Sequence, residues 1–148
     1  MADTERLEAV EVATVRPLRS EVLRRGGPPE ASVLPFDEDP RSRHLALLVD
    51  GEVVAVGSVL PEPPPWSPDR RDAWRVRGMA TKEGLRSLGH GEKVLRGLID
   101  YAASAGGRIV WCDARLAAVP FYGRQGFGAT GGVFVKEGVD HLAMWREL

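Results

Sequence analysis

Arg86-Ser87-Leu88-Gly89-His90-Gly91 follows a strand-like run and opens an amphipathic helix, and the rest of the chain can be placed outward from it. A loop entering a helix N-terminus aims unpaired backbone N–H groups at one point, and the helix dipole adds about half a positive charge there. Such a place suits a phosphate. Gly89 and Gly91 let the backbone approach a ligand with no Cβ in the way, and Arg86 can add a charge-assisted contact. Taken by itself, the glycine pair reads equally well as a simple turn before a helix.

Downstream, helical spacing over 89–105 puts Val94, Leu95, Leu98, Ile99 and Ala102 on one core-facing stripe, and Gly106-Gly107 caps it. A nearly all-apolar run at 108–113 predicts a buried strand, a short helix over 116–124 ends at Gly126, and strands at 127–135 and 139–145 flank Lys136-Glu137-Gly138. Upstream, residues 73–80 form a strand, and the stiff segment Pro61-Glu62-Pro63-Pro64-Pro65-Trp66-Ser67-Pro68 must be a loop. Strands at 45–49 and 52–60 join through Asp50-Gly51, a two-residue hairpin signal. Asp37-Glu38-Asp39-Pro40 marks an exposed loop within the aperiodic stretch 30–43. Before it, a strand at 7–13 alternates around Val10 and Val12, and a helix at 16–24 stops at Gly26-Gly27-Pro28-Pro29. The order is β-α-β-β-β-α-β-α-β-β, an α/β chain with a mixed sheet.

With 148 residues and 43% hydrophobic content, residues 1–148 suit a single domain with a real core. A net charge of −1 gives no global pull toward nucleic acid or an anionic membrane. No apolar run approaches the roughly 20 residues that span a bilayer, and the polar start Met1-Ala2-Asp3-Thr4-Glu5-Arg6 is unlike a signal peptide. The expectation is a cytoplasmic protein. Cys112 is the lone cysteine, which excludes an internal disulfide, and its place in an apolar strand reads as core. No His, Asp and Glu cluster has metal-ligand spacing.

The run Trp74-Arg75-Val76-Arg77-Gly78-Met79-Ala80-Thr81, then Arg86-x-x-Gly89-x-Gly91, a helix, a strand, and Ala118-x-x-Phe121-Tyr122-x-x-x-Gly126-Phe127 resembles the GNAT superfamily of acyl-CoA-dependent N-acyltransferases. The resemblance covers residues 74–148 well; before Trp74 it lies mainly in element order. It implies the GNAT acyltransferase fold, about seven strands with three to four helices, and acetyl-CoA as acyl donor. It gives the pyrophosphate of CoA to the loop from Arg86 through Ser87, Leu88, Gly89 and His90 to Gly91. It gives the pantetheine arm to main-chain groups of Met79, Ala80 and Thr81, with Phe121 beside them. A family bulge in this strand frees backbone groups, and the Met79 N–H then polarises the acyl oxygen. Tyr122 falls where the family places a phenol able to protonate the leaving thiolate; an unperturbed phenol, with a pKa near 10, holds that proton at neutral pH. Lining the pantetheine tunnel is the alternative role for Tyr122.

Relatives often carry a Glu or His on this strand to receive the amine proton, and this chain has Arg75 and Arg77 instead. Arginine stays charged and cannot take a proton. Strand alternation puts Arg75, Arg77 and Met79 on one face, so the arginines read as substrate-binding residues for a carboxylate or phosphate on the acceptor, or as solvated surface charges. His141 is the leading candidate base, ahead of His44 and Glu62. The expected activity is direct transfer of an acetyl group from acetyl-CoA to the primary amine of a small molecule, or to a free amino group. Two other readings stay open: an acyl-CoA-binding or sensing module of weak activity, and acetylation of protein N-termini or lysines. Homodimers are common in the family, and Trp66 and Trp145 are candidate interface residues.

Overall fold

The computed structural model describes residues 4–24 and 32–148, so the expected helix stop at Gly26-Gly27-Pro28-Pro29 lies outside the described residues. Strand β1 (Glu5–Ala9), helix α1 (Val12–Leu23), strands β2 (Arg43–Val49), β3 (Glu52–Pro61) and β4 (Ala73–Thr81), and helix α2 (His90–Ser104) come first. Strand β5 (Ile109–Arg115), a 3-10 turn (Leu116–Ala118), helix α3 (Val119–Arg124), and strands β6 (Gly128–Lys136) and β7 (Val139–Glu147) complete the order. Among the described residues, one seven-stranded sheet runs β1-β2-β3-β4-β5-β7-β6, and only β4 and β5 pair in parallel.

The start of the chain corrects the expectation. Val10 and Val12 alternate, which suggested a strand to residue 13, but Val12, Val15 and Leu18 lie three apart and form the buried stripe of a helix that already begins at Val12. Pro17 sits inside that helix, so the Ala13 carbonyl lacks its usual backbone donor. The hairpins at Asp50-Gly51 and Glu137-Gly138 form as read: all four residues have positive φ, 51° and 83° in the first and 54° and 74° in the second.

The two faces of the sheet carry different helices. Alternation along β2 sends Ala46 toward Val12, Val15 and Leu18 of α1, while Leu45 and Leu47 pack with Val94, Leu95 and Leu98 of α2. Two irregularities then open the middle of this layered core. Val56 pairs with Ala80 and Ser58 with Arg77, so Gly57 faces two residues, Gly78 and Met79, across a β-bulge. In addition, β4 and β5 pair only through Ala73–Ile109, Trp74–Val110 and Arg75–Trp111. Past Arg75 the two strands part, and a wedge opens between them.

Candidate active site

The segment 86–91 meets two other sequence-predicted segments at the wide end of the wedge. Gly89 caps α2 in a left-handed conformation (φ 84°), no side chain caps the helix, and Ser87 is also left-handed (φ 67°). The first backbone N–H groups of α2 therefore stay available to a ligand. Space beside Gly89 is open, whereas a Cβ on Gly91 would lie 3.3 Å from Thr81 Oγ1 and 3.7 Å from the Phe121 ring. Thr81, Gly91 and Phe121 are thus neighbours although forty residues separate the first from the last. Arg86 and Leu88 are exposed on the loop.

His90 departs from expectation. Its imidazole is buried and turned toward β1, with Nδ1 3.8 Å from Glu5 Oε1, while Lys93 also bonds Glu5. The His90 backbone opens the first turn of α2. Met79 departs as well. The bulge inserts one residue, which reverses the alternation, so Met79 Sδ lies beside Gly57, Leu98 and Val94 on the α2 face. Arg75 and Arg77 stay on the α1 face, where Arg77 reaches Asp37. The three side chains expected to point together are split by the bulge.

Neither arginine is a free surface charge. Arg75 spans two carboxylates, donating from Nη1 to Glu62 Oε2 at 3.1 Å and from Nη2 to Asp113 Oδ2 at 3.2 Å, and its guanidinium lies 4.9 Å over the Trp111 ring. Lys136 of β6 also reaches Asp113, at 3.3 Å. Arg77 donates to Asp37 Oδ1 at 3.1 Å and to the Pro35 carbonyl. Asp37 was expected in an exposed acidic loop, yet it is only 4% exposed and also receives both Nη groups of Arg19, at 2.8 and 3.1 Å. Burial pushes the Asp37 carboxyl up, but the bonds from Arg19 and the Leu34 N–H, with the charges of Arg19 and Arg77, hold it below the usual carboxylate range. Asp37 and Asp113 were missed in the sequence. Asp113 had a signal there, a carboxylate closing an otherwise apolar strand.

The candidate proton carriers separate clearly. His44 is buried with both nitrogens engaged: Nδ1 meets Ser58 Oγ at 2.6 Å, and Nε2 meets the Asp37 carbonyl at 2.9 Å. A carbonyl only accepts, so Nε2 carries the proton and Nδ1 accepts from Ser58. Burial lowers the His44 pKa, the Asp37 carbonyl raises it, and the Arg19 charge lowers it further, for a net fall. His44 is a structural residue. Glu62 is held by Arg75, and its backbone carbonyl accepts from Trp111 Nε1 at 2.8 Å. His141, 7% exposed, has Nδ1 2.8 Å from the Val139 carbonyl, which fixes the proton on Nδ1 and leaves Nε2 as an acceptor. Its ring stacks on Phe134, and its pairing with Arg115 puts it on the same face as Asp113 and Arg75.

Tyr122 is 6% exposed, held edge-on between Phe121 and Phe127 with centroids at 5.2 and 5.3 Å, beside Cys112 of β5. Burial raises its pKa well above that of a free phenol, with Cys112 adding to the shift. The phenol therefore stays protonated. Burial also pushes the Cys112 thiol far up, in keeping with a core role. Of the two tryptophans considered for an interface, Trp145 packs on Ala73, Ile109 and Trp111, while Trp66 keeps 42% exposure with an edge contact to Trp111.

Known proteins share this fold. A family model described as the acetyltransferase (GNAT) family matches residues 12–127. The uncharacterized N-acetyltransferase YitI of Bacillus subtilis (strain 168) is 28% identical over 143 residues, 96% of this chain and 95% of that protein. The IAA acetyltransferase from Bacillus cereus ATCC 14579 superposes with a TM-score of 0.74 at 18% identity, over 98% of this chain and 100% of that one. An aminoglycoside 6'-N-acetyltransferase complexed with coenzyme A superposes with a TM-score of 0.71 at 12% identity, over 96% of each chain. The solved structures speak to the fold, and the family model, which spans both sides of the wedge, speaks to kinship: the chain belongs to the GNAT family of acetyltransferases.

Proposed function

We propose that this acyltransferase moves an acetyl group from acetyl-CoA directly to the primary amine of a small molecule that also carries an anionic group. The observation that carries the reading is the meeting of Thr81, Gly91 and Phe121 where the uncapped start of α2 faces the wedge. These residues fit CoA. The α2 N–H groups would hold the pyrophosphate, and the β4 backbone from Met79 to Thr81 would hold the pantetheine arm. Acetyl-CoA, when bound, supplies the acyl group already activated as a thioester.

The chain's own residues then divide the proton traffic. The Met79 N–H, at the bulge, donates to the acyl oxygen as it gains charge. Tyr122 donates its retained proton toward the leaving sulfur. His141 Nε2 takes the proton that the amine must lose, directly or through water. Support for an anionic acceptor comes from the α1 face, where the guanidinium groups of Arg16, Arg19 and Arg77 gather. All three neighbour the Asp37 carboxylate, and with Glu38 as a further partner of Arg16 at 3.3 Å the three guanidinium groups meet two carboxylates, a net positive charge of one. A lysine-rich peptide would be repelled from such a floor.

Thiol release from acetyl-CoA, followed against anionic amino acids, polyamines, aminoglycosides and short peptides, tests the reading. Turnover concentrated on amines that bear a carboxylate or phosphate supports it. Preference for polyamines or basic peptides would sink the acceptor assignment, and binding of CoA with no turnover across the panel would sink the proposed activity.

A further inference from the structure

Arg19 occupies an unusual position for a charged residue: it is 1% exposed, on the buried side of α1, with four acceptor contacts. Nη1 donates to Asp37 Oδ2 at 2.8 Å and to the Ser32 carbonyl at 3.0 Å, while Nη2 donates to Asp37 Oδ1 at 3.1 Å and to Ser58 Oγ at 2.9 Å. The planar guanidinium is therefore fixed in position and in orientation. Its remaining edge, Nε, has no partner and faces Gly78, where a Cβ would lie only 2.7 Å away.

Gly78 has a φ of 65° and is the first of the two β4 residues that share Gly57 as their partner. Ser58, which Arg19 bonds, follows Gly57 and pairs with Arg77, which precedes Gly78. One side chain thus touches both strands at the bulge. Ser58 in turn donates to His44 of β2, and Asp37 ties in Arg77, so the contact is braced from three strands and a loop. The bulge is what sends Met79 to the face opposite Arg77 and leaves backbone polar groups outside the β3–β4 ladder.

We propose that Arg19 is a positioning residue that props the β4 bulge from the α1 side and so fixes the Met79 N–H, resting on the acyl-transfer reading above for the use of that N–H. The buried ion pair with Asp37 then has a task beyond stability: it holds a rigid plane against a glycine that has no side chain to yield.

Amide hydrogen exchange on the ligand-free full chain, comparing wild type with Arg19→Met and Ser58→Ala, tests the prop without reference to activity. Exchange at the paired residues that flank the bulge, Arg77 and Ala80 of β4 and Val56 of β3, is expected to rise about tenfold or more, while Leu98 in α2 and Val110 in β5 change by less than about twofold. Ser58→Ala keeps the Arg19–Asp37 pair and carries the test if Arg19→Met fails to fold. With carbonyl-labelled acetyl-CoA bound, the thioester carbonyl stretch is expected to move toward its free-solution value in both variants, and kcat to fall with little change in KM for acetyl-CoA. Flanking amides that stay protected in a folded variant overturn the proposal, as does a rise spread evenly over the sheet, which would mark Arg19 as a general stabiliser. Loosening of the bulge with a wild-type protein that ignores acetyl-CoA would uphold the prop and discard the acyl-transfer reading instead.

Discussion

Tyr122 and His141 differ in the way their surroundings set their proton. The phenol is enclosed by Phe121, Phe127 and Cys112, where burial makes the phenolate costly, so it is equipped to give a proton only when an acceptor of growing charge is beside it. Tyr122→Phe keeps the ring packing and removes that proton. The expected result is a fall in kcat of about 100-fold with KM for acetyl-CoA nearly unchanged, read from steady-state thiol release. His141 instead has its tautomer set by the Val139 carbonyl. His141→Gln, which keeps a polar side chain but no ring nitrogen able to accept a proton, is expected to lower kcat/KM about 100-fold, read from steady-state thiol release. A variant that keeps the wild-type kcat/KM would return the base role to water or to another group.

At the level of elements, the decisive feature is the convergence of the β4 end, the α2 start and α3 at Gly91. A valine there brings methyl groups into the gap between Thr81 and Phe121, where even a Cβ is already close at 3.3 Å. In helix propensity, valine for glycine changes stability by less than about 1 kcal/mol. Gly91→Val is therefore expected to weaken CoA binding at least about tenfold in calorimetric titration while the thermal midpoint moves by a few degrees. The elements themselves were largely legible in the sequence because their apolar spacing is strong, as in Val94, Leu95, Leu98 and Ala102 of α2. The start of α1 was misread since two alternating valines imitate a strand, and only the face of Ala46, Val56 and Ala80 awaiting Val12 reveals the helical period. The loop from Arg86 to Gly91 and the Phe121-Tyr122 pair could be picked out as candidates because each is a short local pattern. Asp37 was not, since its burial is created by Arg19 and Arg77, 18 and 40 residues away. Gly78 within a strand is a bulge signal, but which side chains the bulge turns depends on the register with Gly57.

For the molecule as a whole, the α1 face is a polar network of Arg19, Asp37, Ser58, His44 and Arg77 set beside an apolar cluster, whereas the α2 face is an apolar core. This asymmetry makes global stability pH-dependent in two separate ranges. Burial lowers the His44 pKa in the fold, so below the ordinary histidine value near 6.5 the unfolded chain takes up a proton that the folded chain refuses. Stability from His44 is thus complete above that value and is lost as pH falls toward the lowered one. Asp37 follows the same sign in a more acidic range: its contribution is present above the ordinary carboxylate value near 3.9 and disappears as pH falls through its lowered value. Urea denaturation across pH 4–8 is expected to give a plateau above about 7 and a decline below about 6.5 in wild type. His44→Gln removes that titration at its source, so the variant, although less stable at pH 7.5 for want of the Ser58 and Asp37 contacts, is expected to decline less steeply between about 6.5 and 5. Equal slopes in the two proteins would mean that other groups set the acid sensitivity, and that the network round Asp37 tolerates a charged His44.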